Sequence, residues 1–377
     1  MKIAILGAGM VGRAMAGDLA SRHEVCSFDI SNHSLQLLTD KLPSVRTQAF
    51  DLMQFDAYPA LLAPFDAVIS AVPGFMGYRA LEAIIRSRKS VADISFFPEH
   101  ALDLHALAQY MGVTAIVDCG VAPGLSNLVL GYENARLQLT HFDCMVGGLP
   151  KKRDFPFEYK APFSPIDVLE EYTRPARYVE NGNVVTRPAL SDPELVNLHP
   201  VGTLESFNTD GLRSILFTMS HIPNMKEKTL RYPGHIRLIE ALKQSGFFGE
   251  EPKTIHGQTI RPIDFTASLL FDQWKLSDAD EEFTIMEIVV TGKQENNLIR
   301  KSYLLYDERC RETGISSMSR TTGYTCTAAL EAMLNGRVPQ PGVFPPELLG
   351  HDEVFTQFIF EYLAARNIRF RIKTESV

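Results

Sequence analysis

The sequence predicts an α/β chain: a doubly wound parallel sheet joined to an α+β domain with a mostly antiparallel sheet. Three observations carry that reading. Residues 3–6 form a short apolar strand that runs into Gly7-x-Gly9-x-x-Gly12, and a helical pattern begins at Arg13. Apolar runs then alternate with helical patterns through the first third of the chain. At Cys119-Gly-Val-Ala-Pro-Gly124 the text changes to alternating, turn-rich segments.

Glycine is common, so the motif matters through its setting. A strand before it and a helix after it place a dinucleotide pyrophosphate on a helix N-terminus. Gly7 allows the tight turn, Gly9 leaves room for the pyrophosphate, and Gly12 lets helix and strand approach. Met10 and Val11 complete the cradle. The second strand, residues 23–30, carries Asp29, seventeen residues after Gly12, close to the ~20 expected for the acid that binds the adenosine ribose. A carboxylate there accepts from the ribose hydroxyls and repels a 2′-phosphate, so Asp29 favours NAD over NADP. Arg22 or Arg46 nearby would be the residues to reverse that preference.

Further strands follow at residues 45–50, 67–72, 90–94 and 113–118, with helices at 78–88 and 102–111 between them. Six such runs alternating with helices predict a Rossmann-type parallel sheet, with ligands beyond the carboxyl ends of its strands. Gly7, Asp29, Asp51, Ala71, Ser95 and Asp118 all stand at those ends. Ala71-Val72-Pro73 and Ser95 are expected along the cofactor track, Asp51-Leu52 near the adenine, and Gly120-Val121 at its far end. Phe75, Met76 and Tyr78 are placed to pack on the cofactor, although Tyr78 also reads as ordinary packing.

Beyond a helix at 125–138, residues 141–146 read as a strand closed by a Gly147-Gly-Leu-Pro150 turn. Residues 283–291 and 298–306 flank a polar turn and read as a hairpin. The acidic run 278–282 reads as solvated surface. A helix at 316–336, a helix at 352–366 and a strand at 369–373 complete the chain. Residues 1–124 and 316–345 are assigned to the dinucleotide-binding domain. Residues 125–315 and 346–377 are assigned to a substrate-binding and dimerisation domain.

The bulk properties agree with a two-domain enzyme. The 377 residues suit two or three domains at ~150 residues each. A net charge of −8 and pI near 5.7 argue against a nucleic-acid partner, which selects a basic face. Five scattered cysteines without a CxxC pair read as reduced thiols, with neither a disulfide frame nor a metal site. The apolar run after Lys2 is too short for a signal peptide, and no run approaches a membrane span. A cytoplasmic location with no membrane partner is expected.

Several stretches together resemble the saccharopine dehydrogenase-like family. They are the glycine start, Gly120-Val-Ala-Pro-Gly124, Gly147-Gly-Leu-Pro150 and Thr229-Leu-Arg-Tyr-Pro-Gly-His235. The likeness covers nearly the whole chain. The L-lysine 6-dehydrogenase branch is matched by Val-Ala-Pro-Gly-Leu-Ser-Asn (121–127), Glu-Glu-Tyr-Thr-Arg-Pro-Ala-Arg (170–177), Thr-Asp-Gly-Leu-Arg-Ser (209–214) and Ser-Ser-Met-Ser-Arg-Thr-Thr-Gly (316–323). The resemblance implies NAD-linked oxidation of the ε-amino carbon of L-lysine, ammonia release, and cyclisation of the semialdehyde to piperideine-6-carboxylate. It also implies a homodimer. The saccharopine reductase branch carries Asp, Tyr and Cys where this chain has Ala122, Phe96 and Val146. The reacting end is therefore expected to be small and apolar. Such a pocket favours the neutral amine that this oxidation needs.

In this frame Arg231 is the expected anchor for the substrate α-carboxylate, by bidentate pairing; a structural arginine is the alternative. Arg213 is the second candidate. Asp210 suits the α-ammonium, or is a local cap. Thr229 joins the substrate set. His235 suits a proton shuttle, since histidine titrates near neutrality, or is a satisfied structural histidine. Tyr159 and Lys160 match a Tyr-Lys pair that the family keeps near the nicotinamide, or are an exposed loop. Three activities remain open at this point: a lysine 6-dehydrogenase, a saccharopine-type or carboxyalkyl-polyamine dehydrogenase or reductase, and a non-catalytic NAD-binding protein.

Overall fold

The computed structural model describes residues 1–161, 165–277, 279–295, 297–338 and 340–376. The first half builds a parallel sheet from β1 (Lys2–Leu6), β2 (Glu24–Asp29), β3 (Arg46–Ala49), β4 (Ala67–Ser70), β5 (Ser90–Asp93) and β6 (Thr114–Ile116). Ile3, Ala4, Ile5 and Leu6 of β1 are all fully buried. This is why the strand reads as a continuous apolar run: helices cover both faces.

The second half begins with β7 (Gln138–Pro150), β8 (Ala176–Glu180), β9 (Asn183–Arg187), β10 (Glu194–Leu198), β11 (Gly202–Asn208) and β12 (Asn224–Arg231). A small hairpin, β13 (Lys253–Ile255) and β14 (Gln258–Ile260), precedes the long hairpin β15 (Glu282–Gln294) and β16 (Asn297–Glu308). The chain then returns to the parallel sheet at β17 (Gly342–Phe344), which pairs with β6, and ends at β18 (Phe370–Ser376) against β16. The parallel sheet has the order β17-β6-β5-β4-β1-β2-β3. The second sheet follows β10-β11-β12-β7-β15-β16-β18, with β8 and β9 added beside β12. It is antiparallel except where β12 runs parallel to β7.

Two local readings are corrected. Gly147-Gly-Leu-Pro150 is the end of β7, not a turn: Gly147 and Gly148 pair with Ile285 and Thr284. A Cβ on Gly147 would stand 2.7 Å from the Leu230 carbonyl oxygen, so the glycine serves close packing of β12. Glu282 is not solvated surface. It is buried where β15 begins and accepts from the backbone N–H of Ser317 at the N-terminus of helix Ser317–Leu334; burial pushes its carboxyl up to about 7. Asp278, from the same run, lies outside the described residues. The strand β17 gave no signal in sequence, because its three residues stand between Pro341 and Pro345-Pro346, which punctuate the apolar run.

Helix Ser317–Leu334 packs on the helix Met10–Leu19 that follows the glycine motif. Gly323 abuts Met15 and Val11, and the Thr327 hydroxyl donates to Asp18 at 2.6 Å. All five cysteines are free. Among the described residues no helix is long and apolar enough to cross a membrane.

Candidate active site

A cavity of about 710 Å³ lies where the carboxyl ends of β1, β2, β3 and β4 face β12 and the end of β7. Its first half is made largely of backbone. Gly7 has φ +112°, and a Cβ there would meet the Ala71 carbonyl oxygen at 2.4 Å. A Cβ on Gly12 would meet the Gly7 carbonyl oxygen at 2.1 Å. Gly9 has nothing within 4 Å of its would-be Cβ, so it opens on empty space. Helix Met10–Leu19 starts there without a side-chain cap, leaving its first N–H groups to a ligand. An open glycine, an uncapped helix N-terminus and an acid at the end of the second strand fit a dinucleotide.

That acid is Asp29. Its Oδ2 accepts from the Ala8 N–H at 2.7 Å and its Oδ1 from Ser31 N–H at 2.8 Å. The glycine loop thus holds the carboxylate in place at the cavity wall. Met10, Val11, Asp51, Leu52, Ala71, Val72, Pro73, Gly120 and Val121 line the cavity too, as do Phe75 and Met76. Ser95 does not. It is buried, and its hydroxyl donates to Asp93 Oδ2 at 3.0 Å. Tyr78 packs edge-on against Phe97 instead of reaching the cavity.

The second half is made of side chains. Alternation along β12 turns Glu227, Thr229 and Arg231 to the cavity. Arg231 is 2% exposed. Its Nη2 donates to Glu171 Oε2 at 2.8 Å and its Nε to the Tyr172 hydroxyl at 3.0 Å. Its guanidinium carbon lies 4.4 Å from the Tyr159 ring centre. Burial alone would lower its pKa, but these phenols and the carboxylate outweigh it and raise the pKa. The guanidinium stays charged. Thr229 shares a hydroxyl contact of 3.0 Å with Thr209.

Four expected site residues sit elsewhere than anticipated. His235 is no shuttle. It is buried, does not line the cavity, and is lowered to about 3 by burial and by the Arg231 charge. With Nδ1 placed 2.9 Å from the Phe157 carbonyl, that nitrogen carries the proton, and Nε2 accepts from Tyr172 at 2.9 Å. A neutral imidazole therefore orients Tyr172, which orients Arg231. Arg213 does not face the cavity either. Its Nε donates to Asp118 at 2.9 Å and its Nη1 to the Phe97 carbonyl, bracing the turn after β6. Lys160 turns away, donating to the Gln273 carbonyl at 3.0 Å. Tyr159 is buried behind Arg231, its phenol pushed well above the usual range by burial.

Asp210 does line the cavity, but it is paired: Arg177 donates to its two oxygens at 2.9 and 2.8 Å. Glu170, Glu171, Arg174, Glu227, Met318 and Thr322 also line it and were not singled out in sequence. The two-residue step from Arg231 through Thr229 was the available signal for Glu227. Phe96, Ala122 and Val146 line the cavity as well, so the apolar positions expected at the reacting end do face it. Among the described residues no group of three or more candidate metal ligands occurs.

Comparison with known proteins accords with this arrangement. Residues 3–116 match the saccharopine dehydrogenase NADP binding domain, and residues 120–368 match the saccharopine dehydrogenase C-terminal domain. The chain is 24% identical over 306 residues to the mitochondrial alpha-aminoadipic semialdehyde synthase of Rattus norvegicus, covering 77% of this chain and 33% of that one. It therefore spans about a third of that relative's length. It is 22% identical over 387 residues to carboxyaminopropylagmatine dehydrogenase of a Synechocystis strain, covering 93% of each. Among solved structures, apo saccharopine dehydrogenase (L-Glu forming) of Saccharomyces cerevisiae superposes with a TM-score of 0.80 at 20% identity, over 99% of each chain, a likeness of fold. With both halves matched and the cavity lying between them, the chain belongs to the saccharopine dehydrogenase family of oxidoreductases, and its glycine cradle is the seat of a nicotinamide cofactor.

Proposed function

We propose that the protein is an NAD-dependent dehydrogenase of a small diamino acid, with L-lysine oxidised at its ε-amino carbon. The semialdehyde product then cyclises. The observation that carries this reading is the cavity itself: a buried, charged Arg231 at one wall, and Phe96, Ala122 and Val146 where saccharopine reductases carry polar groups. Arg231 suits an α-carboxylate, because a guanidinium pre-set by Tyr172 and His235 loses little freedom on pairing. The apolar residues favour a neutral amine. Bringing an ammonium from ~10.4 to near neutrality takes ~3 pH units, on the order of 4 kcal/mol, and desolvation supplies part of it. The dinucleotide, when bound, supplies the electron acceptor.

The NAD preference rests on Asp29 at the cavity wall. The cations that would favour a 2′-phosphate are engaged: Arg46 pairs with Glu24 at 2.6 Å and Arg22 with Glu331 at 2.9 Å. Arg13, which lines the cavity, donates to the Ala8 carbonyl at 2.8 Å.

A second reading, a carboxyalkyl-amine or saccharopine-type dehydrogenase, is favoured by the match to carboxyaminopropylagmatine dehydrogenase over 93% of each chain and by Arg174, a second cation on the substrate side of the cavity. Purified protein supplied with NAD or NADP and each of L-lysine, L-ornithine and saccharopine separates the readings. Reduced nicotinamide forming with L-lysine and NAD supports the first. Reduction with saccharopine alone replaces it with the second. Dinucleotide binding without any turnover leaves a non-catalytic binding protein.

A further inference from the structure

Among the described residues, every acid on the substrate side of the cavity but one is paired with an arginine. Glu170 pairs with Arg174, Glu171 with Arg231, Asp210 with Arg177 and Asp118 with Arg213. Glu227 has none, although it is only 6% exposed. Its Oε2 is buried without a hydrogen-bond partner among the described residues. The carboxyl lies directly against Gly211, where a Cβ would stand 1.8 Å from its Oε1. Burying a polar group unpaired is costly. A carboxyl left unpaired in the wall of a ligand cavity is placed for a partner that the ligand brings.

We propose that Glu227 is the proton acceptor of this site, taking the proton from the substrate ammonium so that the neutral amine is held at the apolar end of the cavity. The proposal rests on the amine-dehydrogenase reading above. In the proposed step an N–H bond breaks and an O–H bond forms at Glu227. No electrons change hands, so the step needs no oxidant. Three features fit. Glu227, Thr229 and Arg231 project from the same face of β12. An α-carboxylate anchored at Arg231 and an amine at Glu227 would therefore share one strand. The charges of Asp210, Glu171 and Asp118 disfavour the ionisation of Glu227, and that of Arg213 favours it. Across β7 stands the Cys144 thiol, itself raised by burial and by Glu227. Burial and the three acids push Glu227 up to about 8. Near neutrality the empty site therefore holds a neutral carboxyl: as the ammonium arrives Glu227 gives its proton to solvent, and the carboxylate so formed then takes the ammonium proton, so one proton leaves the site per amine bound.

The test is calorimetric titration of L-lysine into the complex with reduced dinucleotide, which cannot turn over, in buffers of different ionisation enthalpy. About one proton should be released per lysine bound at pH 7, and release should vanish as pH rises above about 8. Glu227→Gln should bind the reduced dinucleotide and L-norleucine, which lacks only the ε-amine, within about twofold of wild type. It should show no proton release with lysine, and turnover should fall by ~100-fold or more. Glu227→Asp, which keeps a carboxyl, should retain the release. Unchanged proton release and turnover in Glu227→Gln overturn the proposal, as does a wild-type site that binds no amine. If saccharopine reacts and L-lysine does not, the substrate reading falls alone. The same comparison run on saccharopine then decides Glu227.

Discussion

The two halves of the cavity are built in opposite ways. The cofactor half is made largely of backbone: Gly7, Gly9, Gly12 and the ends of β1 to β4 come from the first third of the chain, and its ribose-side acid, Asp29, is held by the N–H of Ala8 in the glycine loop. The substrate half is made of side chains from separate segments, namely Glu171, Asp210, Glu227 and Arg231, and its order depends on which charges meet. A backbone site tolerates changes of side chain but not of volume. A side-chain site tolerates changes of volume but not of charge. Both claims can be broken by substitution.

Arg231→Ala should have the largest effect. It removes the proposed carboxylate anchor and leaves the half-buried Glu171 without its cation, which costs ~1–3 kcal/mol. Denaturant unfolding should show that loss, and any substrate kcat/KM should fall at least ~100-fold. A stable, fully active Arg231→Ala would place the anchor elsewhere.

Glu227→Gln should change how stability varies with pH. The folded carboxyl titrates near 8 and an ordinary one near 4.5, so the folded state binds more protons across that window. The contribution of Glu227 to stability then falls as pH rises from about 4.5 to about 8. The variant should lack that fall, gaining a few kcal/mol over wild type at the alkaline end. Unfolding free energies measured near both ends of the window check the sign.

The glycines form a matched pair. Gly12→Ala forces a methyl onto the Gly7 carbonyl, 2.1 Å from its Cβ, and should cost ~1–3 kcal/mol of stability. Gly9→Ala meets nothing within 4 Å, so its melting temperature should not change. Its methyl would stand in the proposed pyrophosphate seat, and dinucleotide affinity should drop ~10-fold, or ~1.4 kcal/mol. Equal effects from both would mean that Gly9 does not face the cofactor. The smallest effect is expected from Asp29→Ser. Removing the carboxylate should shift the ratio of NAD to NADP affinity by about fivefold towards NADP, roughly 1 kcal/mol, measured by titrating both dinucleotides.

Much of the cofactor half was legible in the chain, because each of its cues is local. A strand, a glycine turn and a helix occupy one short stretch, and Asp29 follows at the end of the next strand. The exception, Ser95, shows the limit. It stands after a strand end as expected, but Asp93, buried two residues before it, draws its hydroxyl inward. The substrate half was legible in residue type and not in role. Arg231 was found in the conspicuous Thr-Leu-Arg stretch. Arg213 lay in an equally conspicuous one, yet it serves Asp118, 95 residues earlier in the chain. His235 has the right chemistry in water and the wrong environment in the fold, since burial and a neighbouring guanidinium keep it neutral. Glu227 was overlooked because an isolated acid in a strand looks unremarkable until its neighbours are counted.

The sequence by itself determined the layered α/β architecture, the dinucleotide cradle and the family, since hydrophobic period and glycine placement act over a few residues. Only the tertiary structure decided which carboxylates have arginines and which one does not. Pairing and desolvation depend on distances between segments far apart in the chain, and those distances exist only once both sheets have closed around the cavity.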